Sequence, residues 1–222
     1  MSQTERYQRL RLLVKGLNRQ RKQQASKIDI LCNDLISAQR SFLHRLQDIS
    51  FAAEFYRALL GDTDMNHVLA RAGRVIRQEL PRTGVTFFLR QPDGCEPGLP
   101  NAKERVWGTL HTCPDDAALS GGHEGPEECF DAELVENLCK CNRRCLLDDM
   151  LGMGLEGGPE VLNRFSLVTL PLTDLGRSLG FLLLYRRLPE VLTEEELGRI
   201  SLVMCGLAQA LRSVRVPLPS GE

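Results

Sequence analysis

No proline occurs before Pro81 in this chain, and through most of that length apolar side chains recur in alternating steps of four and three. Starting at Leu10, the steps visit Leu10, Val14, Leu17, Arg21, Gln24, Ile28, Leu31, Leu35, Ala38, Phe42, Arg45, Ile49, Ala52, Tyr56 and Leu59, a heptad seam with polar breaks at Arg21, Gln24 and Arg45. Gly16 is the one glycine inside the run, so nothing obliges a helix to stop before Gly61. At about 1.5 Å per residue such a helix would be on the order of 75 Å long, more than a small domain needs to cover its own core. Its apolar stripe therefore needs a partner. A period near 3.5 lets two helices supercoil left-handedly, and polar breaks fix their register at some loss of stability. Residues 1–60 are expected to form a parallel homodimeric coiled coil. The stretch from Arg19 to Lys27, rich in charge and poor in apolar groups, also fits a solvated, locally frayed helix. No helix-breaking pair sits near the middle, which argues against an intramolecular hairpin.

At 222 residues the chain has room for one ordinary domain beyond that helix. Its 28 basic and 29 acidic side chains leave a net charge of −1, too little to draw it to nucleic acid or an anionic membrane, so neither is expected as a partner. The opening residues Met1 to Tyr7 are polar, unlike a secretion signal, and the apolar run from Phe181 to Tyr185 is far short of a membrane span. The expected location is the cytoplasm. There the eight cysteines are expected to be reduced thiols, metal ligands or redox groups rather than a disulfide scaffold.

The second half reads as a mixed domain. Thr63 or Asp64 caps a helix whose stripe is Met65, Val68, Leu69, Ala72, Ile76 and Leu80, ended by Pro81. Gly84 to Arg90 is rich in strand formers and runs into the turn signal Pro92-Asp-Gly94, and Arg105 to Thr112 is a second strand. A loop rich in Gly, Asp and Pro spans Cys113 to Glu127. Phe130, Leu134, Leu138, Cys141 and Cys145 then recur at helical spacing, with Asp131 and Glu133 in the first turn, and the helix breaks up over Gly152 to Gly158. Ser166 to Leu172 and Ser178 to Tyr185 form a hairpin of central strands. Thr193-Glu-Glu-Glu196 is a capping box for a final helix carrying Leu197, Ile200, Met204, Leu207, Leu211 and Val214 at the heptad step, closed by Pro217 and Pro219.

This order of elements resembles the GAF domain. The residues that carry the resemblance are Leu167-Val-Thr-Leu-Pro-Leu172, Gly176, Gly180-Phe-Leu-Leu-Leu-Tyr185 and Thr193-Glu-Glu-Glu-Leu197, which look like that family's last hairpin and C-terminal helix, and the match extends over residues 48–215. PAS, a related sensor fold, shares the mixed architecture. The resemblance implies an α+β fold, an antiparallel sheet flanked by helices over residues 61–216, preceded by the coiled-coil helix and followed by a disordered tail at 217–222. It also implies that the N- and C-terminal helices share the face on which copies dimerise, while small ligands bind on the opposite face. The segment 107–150 would then line the ligand site, with Trp107, Cys129, Phe130, Leu134 and Leu138 as contacts. Members of the family bind cyclic nucleotides, tetrapyrroles, haem, metals or small metabolites, so the fold does not give the ligand. Glu128-Cys129-Phe130 resembles the second-cysteine motif of bilin-binding members, but that motif's Asp is missing, and Lys140 and Asn142 stand where a Cys-His pair would need His. The motif of cyclic-nucleotide-binding members is absent.

Cys113, Cys129, Cys139, Cys141 and Cys145 are the sharpest chemical feature. On a continuous helix Cys141 and Cys145 would share a face at i, i+4, able to present two thiolates to one metal, with a loop cysteine completing the site. The spacing is not a paired C-x-x-C framework, and buried cysteines also serve as small core residues. Both readings stay open, as does redox reactivity favoured by Arg143 and Arg144.

Nothing points to catalysis. There is no phosphate-cradling glycine loop with lysine, no nucleophile elbow and no metalloprotease His pair. Asp148 and Asp149 adjoin in sequence and so point apart on a helix. The expected function is a non-enzymatic regulatory protein that senses a small ligand, of unknown identity, and signals through its dimeric coil and C-terminal helix to a partner in trans. A ligand-free dimerising adaptor and a cysteine-based metal or redox sensor are the alternatives.

Overall fold

A computed structural model of the chain describes residues 3–62, 64–90, 111–112, 125–158 and 162–215. Helix α1, Gln3–Leu59, runs without interruption, as its lack of proline allows. The chain divides into two compact units, Met1–Ser50 and Phe51–Glu222.

In the first unit the helix exposes its apolar seam. Leu10, Leu17, Ile28, Leu31, Leu35, Phe42 and Ile49 are all more than half exposed. Leu12, Leu13, Ile30 and Leu43 are exposed too, so the apolar surface is wider than the seam alone.

The second unit starts at Phe51 and takes in the last turns of α1. It continues with α2 (Met65–Glu79), β1 (Thr83–Leu89), β2 (His111–Thr112), a 3-10 turn (Pro126–Cys129), α3 (Ala132–Cys141), β3 (Cys145–Leu146), α4 (Leu147–Gly152), β4 (Phe165–Asp174), β5 (Arg177–Arg187) and α5 (Glu194–Arg215). The strands form one antiparallel sheet in the order β2-β1-β5-β4-β3, so the last strand in sequence lies at its centre. This is the expected α+β architecture. The predicted strand from Arg105 is described only at His111 and Thr112, and the Pro92-Asp-Gly94 turn and the tail 217–222 lie outside the described residues.

Local signals explain most of these elements. Asp64 caps α2 by accepting the Asn66 N–H at 3.2 Å, and Asp131 caps α3 by accepting the Leu134 N–H at 2.7 Å. The capping box of α5 is reciprocal: the Glu196 N–H donates to the Thr193 hydroxyl at 3.2 Å, and the Thr193 N–H donates to the Glu196 carboxylate at 2.7 Å. β4 and β5 are joined through Leu175 and Gly176, both at positive φ (47° and 79°), the handedness a two-residue hairpin turn needs.

Alternation along the strands sorts the side chains into two layers. Val85, Phe87, Leu170, Leu172, Leu182 and Leu184 face a core closed by Phe51, Phe55 and Leu59 of α1, by α2 and by α5. The heptad stripe of α5 is buried here, in the chain's own core, from Leu197 through Leu211. What α5 leaves exposed is a narrower strip that includes Leu202 and Cys205. In the same layer Arg186 is buried but satisfied: its guanidinium donates to the Thr83 hydroxyl at 2.9 Å and to Glu196 at 3.0 Å, tying β5 to β1 and to the start of α5.

The expected helix from Phe130 through Cys145 stops early. Asn142 adopts a left-handed conformation (φ 48°, ψ 33°) and its N–H returns to the Leu138 carbonyl, closing α3 at Cys141. Cys145 then lies on strand β3, opposite Thr169 of β4. The apolar spacing continues past the true end because a buried edge strand and a buried helix face both select such a residue.

Among the described residues no helix is long and apolar enough to cross a membrane.

Candidate functional site

The second layer, on the opposite face of the sheet, is built from Phe88, Phe181, Leu183 and Tyr185 beneath α3 and α4, with Leu155, Leu162 and Phe165. Its arrangement depends on an irregularity in β5. Leu172 pairs with Gly180 and Thr173 with Ser178, leaving Leu179 as an extra residue. Leu179 therefore packs with the first layer while Phe181 enters the second. Gly180 is required there: its φ is 141°, and a β-carbon would meet the Phe88 carbonyl oxygen at 1.9 Å.

Three rings gather at this place. Phe88 stacks on Phe181 with centroids 4.7 Å apart, and Phe130, just past the 3-10 turn, sits 5.3 Å from Phe88 and 6.1 Å from Phe181. Phe130 and Cys129 are partly exposed, whereas Leu134 and Leu138 are buried in the layer's core. Polar groups border the rings. The hydroxyl of Thr86 is buried without a hydrogen-bond partner among the described residues. Burial pushes the Cys139 thiol above its ordinary range, opposed by the Ser178 hydroxyl and the charge of Arg90. Phe88 and Phe181 are themselves buried, so beside the rings the part open to solvent is the edge formed by Cys129 and Phe130. Of the five predicted ligand contacts, the structure gathers Cys129, Phe130, Leu134 and Leu138 into this layer, and Trp107 lies outside the described residues.

Of the predicted metal set, the described members Cys129, Cys139, Cys141 and Cys145 are not brought to one point. Among the described residues no three of His, Cys, Asp and Glu are placed to hold a metal ion. Cys139 is buried on the inner side of α3, Cys129 lies beside Gly157, and Cys113 is outside the described residues. Cys141 and Cys145 meet, with sulfurs 3.9 Å apart, and they do so across the end of a helix and an edge strand, not along one helical face. A tetrahedral site needs further ligands that no other described residue brings to this pair. Sequence reasoning misses Asn142, whose left-handed backbone makes that meeting possible. Asparagine is the residue after glycine that most often ends a helix in that conformation, which is the one signal available.

The geometry of the sheet and its helices is similar to that of solved GAF domains. One, from a phosphoenolpyruvate-protein phosphotransferase (ptsP) of Coxiella burnetii, is 14% identical with a TM-score of 0.52, over 77% of this chain and 95% of that one. Another, from the Acinetobacter phosphoenolpyruvate-protein phosphotransferase, is 12% identical with a TM-score of 0.51, over 79% of this chain and 98% of that one. No protein-family model matches the chain, and no curated protein matches its sequence. The fold is that of a GAF domain.

Proposed function

We propose that this chain is a non-enzymatic regulatory sensor. Its GAF-fold unit takes up a small, flat, largely apolar ligand beside Phe88, Phe130 and Phe181. It pairs with a second copy through α1 and signals to a partner protein in trans. The observation that carries this reading is the exposed seam of α1, where Leu31 and Leu35 are 67% and 69% exposed. A single helix in water gains nothing from such a stripe, whereas two copies bury it against each other at the coiled-coil period. Solved structures of similar fold include GAF domains from phosphoenolpyruvate-protein phosphotransferases, and a regulatory use of the fold here is in keeping with that likeness.

Light scattering of the full chain at micromolar concentration tests the pairing: a dimeric mass is expected, and a persistent monomer overturns it. Native mass spectrometry tests the ligand, with an added small-molecule mass expected on the dimer. A second reading rests on the complete burial of Leu134, which favours a layer filled by its own side chains and hence a ligand-free adaptor. A dimer that never carries added mass selects that reading.

A further inference from the structure

From the meeting of the α3 terminus with strand β3, we infer that Cys141 and Cys145 form a thiol-based peroxide-sensing site that closes reversibly into a disulfide. This site is separate from the aromatic layer and does not depend on a ligand binding there.

The two sulfurs differ in their access to solvent and in what touches them. Cys141 ends α3 and is partly open to solvent, while Cys145 is fully buried behind it. The Arg143 Nε–H donates to the Cys141 sulfur at 3.2 Å, and the Cys145 sulfur lies 3.9 Å from it, its single S–H shared between that sulfur and the Arg143 carbonyl at 3.4 Å. The Arg143 guanidinium thus lies directly against the sulfur that solvent can reach. The same contact holds Arg143 firmly in its charged form. Arg143 is itself anchored by Asp149, at 3.2 Å, so the cation is positioned by the first turn of α4. Burial, reinforced by its bond to Cys141, pushes the Cys145 thiol up to about 11, so it remains protonated. Cys141 is thus the sulfur an oxidant reaches, and Cys145 the thiol held in reserve.

The chemistry balances with hydrogen peroxide as the oxidant. The Cys141 thiolate attacks one peroxide oxygen, the O–O bond breaks, and hydroxide leaves, giving a sulfenic acid on Cys141. The Cys145 sulfur then attacks the Cys141 sulfur, the S–OH bond breaks, and the thiol proton leaves with the hydroxyl as water. Two thiols lose two electrons and one peroxide gains them. Closing a bond of about 2.05 Å from contacting sulfurs needs only a small approach. The three residues between the cysteines make the short loop that carries this closure, and that loop also holds Arg144 in a two-pronged pair with Glu194, at 2.7 and 3.0 Å.

Lys140, Arg143 and Arg144 are tryptic sites, so a Cys141–Cys145 disulfide joins two peptides that are otherwise separate. The reduced full chain is exposed to one equivalent of hydrogen peroxide, alkylated, digested and analysed by mass spectrometry. The expected product is that linked pair, released by dithiothreitol. In Cys145→Ser the sulfenic acid on Cys141 should persist and be trapped by dimedone. Arg143→Gln should slow oxidation of Cys141 roughly tenfold, while Arg144→Gln, which removes an equal charge that does not touch sulfur, should leave the rate unchanged. Cys141 remaining alkylatable while other cysteines oxidise, or linking to a cysteine other than Cys145, would overturn the proposal. Equal slowing by the two arginine variants would remove Arg143 from it. These readouts follow sulfur chemistry alone, so they stand or fall independently of the dimer and of the ligand.

Discussion

The ring of Tyr185 lies over the backbone of Gly84, its partner across β1 and β5, so closely that a β-carbon at position 84 would meet the ring at 2.1 Å. Tyr185 is only 2% exposed and stands edge-on to Phe165, leaving the ring nowhere to retreat. The glycine is therefore a packing requirement, and the ring covers the strand where the side chain is missing. Gly84→Ala is expected to destabilise the protein by about 2–3 kcal/mol through overpacking, although alanine is otherwise the better residue in regular structure. Urea unfolding of the two proteins checks this.

The seam of α1 gives a sharper test of pairing than mass alone. Leu31→Asp with Leu35→Asp would place like charges against each other in a paired seam, and dissociation to a monomer is expected. The unit from Phe51 onward has its own core, so its thermal transition should survive the change. A dimer unaffected by the double substitution would place the interface elsewhere.

Glu196 links stability to pH. Burial raises its carboxyl, but the N–H of Thr193, the guanidinium of Arg186 and the Thr193 hydroxyl together outweigh it and leave the group below its ordinary 4.5. A depressed carboxylate contributes stability that is complete above its unfolded value and disappears as pH falls through the folded one. Glu196→Gln should therefore cost about 2 kcal/mol at neutral pH, and the difference from the unchanged protein should shrink as pH drops below 4.5. Denaturant melts at neutral and acid pH would show it; a constant difference would mean that the charge is not what stabilises the capping box.

Leu175 sits at the first position of the β4–β5 turn with φ 47° and 84% of its surface exposed. A left-handed backbone strains most side chains by about 1 kcal/mol, and asparagine tolerates it best. Leu175→Asn should raise the unfolding midpoint while removing an exposed apolar group.

How much the sequence reveals follows how local each signal is. The Thr193 capping box, the Asp64 cap and the β4–β5 hairpin are written in neighbouring residues, and each stands where expected. The end of α3 depends on the conformation of one residue, Asn142, which periodicity does not encode, so periodicity alone assigns Cys145 to the wrong element. Periodicity also does not name the partner that covers a stripe. The stripe of α5 has the same step as that of α1, yet Ile200, Leu207 and Leu211 lie in the chain's own core, whereas Leu31 and Leu35 are exposed. The layer holding Phe88, Phe130 and Phe181 comes from strands and a turn far apart in sequence, which no local pattern could have assembled.

The position of β5 at the centre of the sheet bears on how the protein is made. Thr83 and Arg186, which pair across β1 and β5 and share a hydrogen bond, are 103 positions apart in the chain. On the ribosome β1 therefore emerges well before the strand that pairs along its whole length, and its apolar residues must wait uncovered while the intervening chain is synthesised. The hairpin of β4 and β5, whose strands are adjacent in sequence, can form at once and then offer β1 its missing edge. This makes vectorial synthesis the stage at which the protein is most exposed to aggregation, and makes β1 the segment that chaperones would have to shield.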